Sequence, residues 1–225
     1  MSVVRNWDDE SREGLRATLK WVILGALRLA KHDRATILEI CRDVYIHEAC
    51  PIAEVTAFTR FAAEEFDRAV ALHEAEMENW PAITDCDRLD RVEDELRDRG
   101  ILLWQMSPCC DTCTRGELAT RLEVLEKGCP GFSNRCRGYS FFIDQNMADS
   151  LSEETSLSVY LGYGWFAPDD FDFEANAAEY ERNALIIAHE VCDCFREEGF
   201  EADWTGNLDR KIGITLNWQR RDLLS

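Results

Sequence analysis

Basic charge is what this sequence has least of. Against 25 lysines and arginines stand 44 aspartates and glutamates, a formal net charge of -19 over 225 residues. A surface this acidic is repelled by phosphate backbones, which excludes nucleic acid as the expected partner. Long apolar runs are missing too. The longest, Trp21 to Leu27 with Leu29 and Ala30 beyond Arg28, falls far short of the roughly 20 residues that cross a bilayer and reads as a buried helix. No membrane partner is therefore expected. The opening MSVVRNWDDESREG has no basic region followed by an apolar core, so the expectation is a cytoplasmic protein without a secretory signal. The chain also lacks a glycine-rich phosphate loop, a G-x-S-x-G elbow and an H-E-x-x-H helix, the marks of common enzyme classes. The acidic loop Asp169-Asp170-Phe171-Asp172 lacks the glycine and the ligand spacing of a calcium loop.

What is present is ordinary for a globular chain: 46% hydrophobic and 31% charged residues, enough for one large or two small cores. The acidic excess is uneven. Residues 1–80 hold 10 basic and 15 acidic side chains, and 81–225 hold 15 and 29, so the second region carries most of the imbalance. That distribution admits a basic protein partner, beside the simpler role of keeping the surface soluble.

The first region reads as helices. Leu15, Leu19, Val22, Ile23, Ala26 and Ala30 recur at three and four residues and give one stripe on a helix from about Asp8 to Ala30. Asp33 is placed to cap a second helix, which must stop before Pro51 because proline disfavours helical backbone at the preceding residue. Pro51 suits the first turn of a third, with Phe58, Phe61, Ala62, Phe66, Ala69, Val70, His73 and Met77 on one face. We expect a helical bundle over 1–79.

From 80 to 225 the pattern changes. A capping-box-like Thr84 and Asp87 open a helix closed by Gly100, and Ile101 to Met106 is apolar enough for an interior strand. Glu117–Lys127 is helical. Tyr139–Asp144 and Leu157–Tyr163 alternate as strands, Glu174–Glu198 is a long helix, and Glu201–Trp204 and Lys211–Trp218 are strands. The expected class is α+β, a helical bundle followed by an α/β sandwich of order α-β-α-β-β-α-β-β.

Ten cysteines in a long acidic chain without a signal point to thiols or metal ligands rather than disulfides. The stretch Ile101 to Cys113, ILLWQMSPCCDTC, is a strand ending in three of them. One reading pairs Cys110 and Cys113 with Cys129 and Cys136, spaced C-x2-C-x15-C-x6-C, as a structural zinc site. A second makes Cys110 and Cys113 a dithiol at a helix N-terminus, the setting that acidifies a thiol, although Asp111 between them works against it. In a third, the turn simply packs. His47, Cys50 and His73 are a lesser candidate metal set. Cys192 and Cys194 are about 200° apart around a helix and cannot share a metal; Cys192 belongs to the core, and His189 flanks it. Asp85 and Asp87 are the best placed carboxylates, with capping as their expected role.

The segments Trp80-Pro81-x-x-Thr84-Asp85-x-Asp87-Arg88-Leu89, Cys109-Cys110-x-x-Cys113, Gly138-Tyr139-x-Phe141 and Trp218-x-Arg220-Arg221 resemble a bacterial domain family of unknown function marked by W-P-x-x-T-D-x-D-R-L and C-C-x-x-C motifs. The resemblance covers about 80–221, and the helices before it are similar only in kind. It singles out Trp80, Asp85, Asp87, Arg88, Cys109 and Trp218 but implies no activity. Where that family often has glycine after the third cysteine and a His-x-Gln-Asp run after the strand, this chain has Thr114 and Asp144-Gln145-Asn146. Residues and resemblance together lead us to expect a non-enzymatic acidic binding protein, regulatory or immunity-like, with a zinc-thiolate site; a thiol-dependent redox enzyme is the alternative.

Overall fold

The computed structural model describes residues 7–221. In chain order the elements are α1 (Asp9–Leu29), α2 (Arg34–Ile40), which runs through a π-helical stretch at Cys41–Ile46 into α3 (His47–Ala49), then α4 (Val55–Met77), α5 (Asp85–Asp98), β1 (Ile101–Ser107), α6 (Asp111–Gly128), α7 (Phe132–Arg135), β2 (Gly138–Ile143), α8 (Met147–Glu153), β3 (Ser156–Trp165), α9 (Ala177–Glu197), β4 (Ala202–Asp203) and β5 (Ile212–Asn217). The class is α+β, with the expected order of the second region interrupted by two short helices, α7 and α8. Two compact units form. One holds residues 7–84, 146–157 and 218–221, and the other holds 85–145 and 158–217.

In the helical unit, Asp8 caps α1 by accepting from the Ser11 N–H at 2.9 Å, and Asp33 caps α2 by accepting from the Thr36 N–H at 2.8 Å. Each satisfies a donor that the first helical turn leaves without a partner. α1 buries Leu15, Leu19, Ile23 and Leu27, and α4 buries Phe58, Ala62, Phe66 and Ala69 in the same core. Cys50 is extended (φ -104, ψ 135), as a residue before proline must be. Pro51 does not begin the third helix as expected. Its carbonyl accepts from the Glu54 N–H at 2.9 Å, a turn that delays α4 to Val55. α8 packs on α1 at Gly25, where an added Cβ would stand 2.0 Å from the Ala148 carbonyl oxygen, so only glycine permits this approach. Arg28 Nη1 donates to the Leu151 carbonyl at 2.9 Å.

The second unit is built on a mixed sheet of order β1-β2-β3-β5-β4. β1 and β2 are parallel, β2 and β3 antiparallel, and β4 and β5 antiparallel. β1, expected inside the sheet, lies at its edge. Its apolar run has another cause: Ile101, Leu102 and Leu103 are buried, with α5 packed on the strand, the burial typical of a parallel pair covered by helices. Tyr139 and Phe141 stack at 6.2 Å in a core with Leu102, Leu118 and Phe132. A side chain as fully buried as Phe141 contributes roughly 1.5–3 kcal/mol. Val159, Leu161 and Tyr163 on β3, and Ile212, Ile214 and Leu216 on β5, are buried as their alternation predicts.

Candidate metal centre

The sequence Ser107-Pro108-Cys109-Cys110 must turn from the end of β1 into α6, and the backbone does so at some cost. The β1–β2 register shifts between Trp104 and Ser107. Met106 (φ 49) and Cys109 (φ 71) both take the left-handed conformation, which costs a residue with a Cβ about 1–2 kcal/mol. A buried hydroxyl pair holds the turn. Thr114 Oγ1 lies 3.0 Å from both Ser107 Oγ and the Cys110 carbonyl, and Ser107 Oγ donates to the Phe142 carbonyl at 3.2 Å. The strand end, the next strand and the first turn of α6 are thereby joined. Thr114, standing where the resembled family often has glycine, is one of the residues that fix the site.

This geometry brings three sulfurs together. Cys109 Sγ is 3.4 Å from Cys113 Sγ, Cys110 Sγ is 3.6 Å from Cys113 Sγ, and all three lie within 4.8 Å of one another. Cys109 and Cys113 are exposed and Cys110 is half-buried. Cys110 occupies the N-cap of α6. The Cys113 backbone N–H, then the Cys113 thiol and the Thr112 N–H, hold the Cys110 thiol below its ordinary range. Cys113 is pushed up to about 11 by the thiols of Cys109 and Cys110.

Asp111, expected to oppose thiolate formation, is paired instead. Lys211 Nζ lies 2.6 Å from its Oδ2, and that neighbouring charge offsets the carboxylate. Lys211 is itself well placed, because Tyr163 Oη and the Trp204 indole N–H both donate to the carbonyls of Asn207 and Arg210 and pin the turn before it. Nothing in the sequence marks this pair, whose members are far apart along the chain.

The other candidates are dispersed. Cys129 and Cys136 are not in the cluster with Cys110 and Cys113. Both pack against the core around Phe132, where Arg135 Nη2 donates to Cys129 Sγ at 3.4 Å and Cys136 Sγ donates to the Gly138 carbonyl at 3.4 Å. The group that could hold a metal ion is instead three sulfurs from a single turn, with Cys109 beside Cys110 and Cys113. His47 faces Asp43, with Nδ1 3.6 Å from Oδ1. Cys50 Sγ donates to the Pro51 carbonyl, and His73 is buried with its ring edge-on to Trp80 at 5.3 Å. Among the described residues these three form no metal-ligating group. Cys192 and Cys194 are both buried, beyond the single core thiol expected.

A model for a family described as Domain of unknown function (DUF6891) matches residues 12–222. The chain belongs to that family. No curated protein and no solved structure matches it. The match begins well before Trp80, so the helices earlier likened to the family only in kind fall within the family domain. The signature residues mostly have structural partners. Asp85 Oδ1 pairs with Arg88 at 2.5 Å and Oδ2 accepts from the Asn217 N–H at 2.8 Å. Arg88 lies over Phe200 at 5.5 Å. Trp218 is buried beneath Arg220, and Arg221 donates to the Pro81 and Ala82 carbonyls. Among the described residues, the cysteine turn is the motif that gathers reactive groups at an exposed surface.

Proposed function

We propose that the protein is a non-enzymatic, cytoplasmic binding protein whose Cys109, Cys110 and Cys113 hold a zinc ion, and whose acidic surface serves a basic protein partner in a regulatory or immunity-like role. The sulfur spacing carries the metal assignment. Tetrahedral ligands at about 2.3 Å from zinc stand roughly 3.8 Å apart, and the closest sulfur pairs are 3.4 and 3.6 Å apart. Zinc would neutralise the thiolates and hold the strained turn in place, with its fourth position open to water or to a partner's side chain.

One observation favours a second reading. An acidified Cys110 at a helix N-cap beside a Cys113 of raised pKa is the asymmetry of a dithiol pair. Cys110 thiolate would attack a substrate disulfide, and Cys113, losing its proton, would then displace the reduced substrate. A Cys110–Cys113 disulfide would remain, two electrons having passed to the substrate.

Metal analysis of the full chain purified without added zinc, with thiol titration before and after a chelator, separates the two. Zinc binding predicts about one ion per chain, loss of it in Cys110→Ser, and thiols that react only after chelation. A metal-free chain with one rapidly reacting thiol would overturn the zinc assignment in favour of the dithiol.

A further inference from the structure

The end of β3 and the loop after it build an aromatic surface that the thiol site does not use. Trp165 meets Phe171 at 5.2 Å, Phe171 meets Phe173 at 5.1 Å, Phe173 meets Tyr180 at 5.4 Å, and Tyr180 returns to Trp165 at 6.2 Å. The four rings close a circuit. They are not a buried core: Phe173 is 57% exposed, and Trp165, Phe171 and Tyr180 are half-buried. The loop is fixed in place. The Phe171 N–H donates to the Pro168 carbonyl at 3.0 Å, and Asp172 Oδ1 accepts from the N–H groups of Glu174 and Ala175, both at 3.0 Å. The rings are therefore displayed without an ordering cost at binding.

Two further observations indicate what would cover them. The stretch 166–181 contains six acidic residues and no lysine or arginine, and Asp169, Asp170, Glu174 and Glu179 are exposed. Elsewhere the chain lays its own arginines over its aromatics, as with Arg34 over Phe66, Arg88 over Phe200 and Arg121 over Trp104. Among the described residues, no arginine or lysine lies over any of these four rings. An aromatic face attracts a cation, and surrounding carboxylates strengthen the attraction.

We propose that the Trp165–Phe171–Phe173–Tyr180 surface docks an arginine-bearing segment of the partner protein, its guanidinium seated on the rings and its neighbouring basic side chains facing the carboxylates. Arginine fits better than lysine because its planar, weakly hydrated head stacks on aromatic faces. The proposal rests on the reading that the partner is basic, and is independent of zinc.

Calorimetric titration of the full chain with an acetylated peptide of alternating arginine and glycine tests it, with the citrulline version of the same peptide as the uncharged control. We expect the arginine peptide to bind and the citrulline peptide not to. Phe173→Ala should weaken binding by about tenfold, within the range of a partly desolvated cation–π contact, and Phe173→Trp should restore it. Because Phe173 is exposed, unchanged circular dichroism should accompany both variants. Equal binding to the wild type and Phe173→Ala would overturn this surface while leaving the basic-partner reading intact. Failure of the arginine peptide to bind the wild type, or equal binding of the citrulline peptide, would overturn both.

Discussion

The cysteine turn and the C-terminal half of α9 hold similar groups in opposite conditions. On the turn, Cys109, Cys110 and Cys113 come from the bend after β1, the cap of α6 and its first turn, and their sulfurs converge at the surface. On α9, Cys192 and Cys194 are only two residues apart, yet both are buried and leave the helix about 200° apart. Burial pushes both thiols up to about 11. Closeness in sequence therefore does not gather ligands. A break in regular backbone does, because it frees neighbouring side chains from helical divergence.

The largest expected difference is in reactivity. With the metal-free chain and a maleimide reagent, the turn thiols should label at least about a thousandfold faster than Cys192 and Cys194, which react only through opening of a structure worth several kcal/mol. Mass spectrometry of digested samples would show it, and comparable labelling rates would break the contrast. Next comes stability. In the metal-free chain, Cys192→Ser buries a hydroxyl in an apolar site and should cost about 1–3 kcal/mol in urea unfolding, whereas Cys109→Ser at the surface should stay within about 0.5 kcal/mol. Smallest is a pH effect. A thiol raised by burial favours the folded state while it is protonated in both states. The contribution of Cys192 and Cys194 is therefore complete below the ordinary thiol value of 9.0 and falls away as pH climbs towards about 11. Cys192→Ala should reduce that alkaline loss in urea melts taken across the same window.

Much of the fold was legible because its long elements carry complete periods. The stripe of α1, the alternation of β3 and β5 and the cap Asp33 all act over one turn or two, within reach of local chemistry. α8 was not legible: it spans Met147–Glu153 and buries only Met147 and Leu151, too few positions to establish a period. The π-helical stretch at Cys41–Ile46 left no mark in the pattern either. At the site, Cys110 and Cys113 could be paired from their spacing. The membership of Cys109 depends on a left-handed backbone that no residue other than glycine advertises. Cys129 and Cys136 showed the reverse failure, since ligand-like spacing also arises when two thiols merely pack against one core.

The close seat of α8 on Gly25 has a consequence for how the protein is made. α1 is synthesised well before its partner: the carbonyl of Leu151 that receives Arg28 is 123 residues further along. The packing of the helical unit cannot be completed until that distance has been synthesised, so α1 must wait with its face around Gly25 uncovered. A nascent chain stalled after residue 84 should be held by chaperones or cut by proteases, and release of residues 146–157 should end that vulnerability.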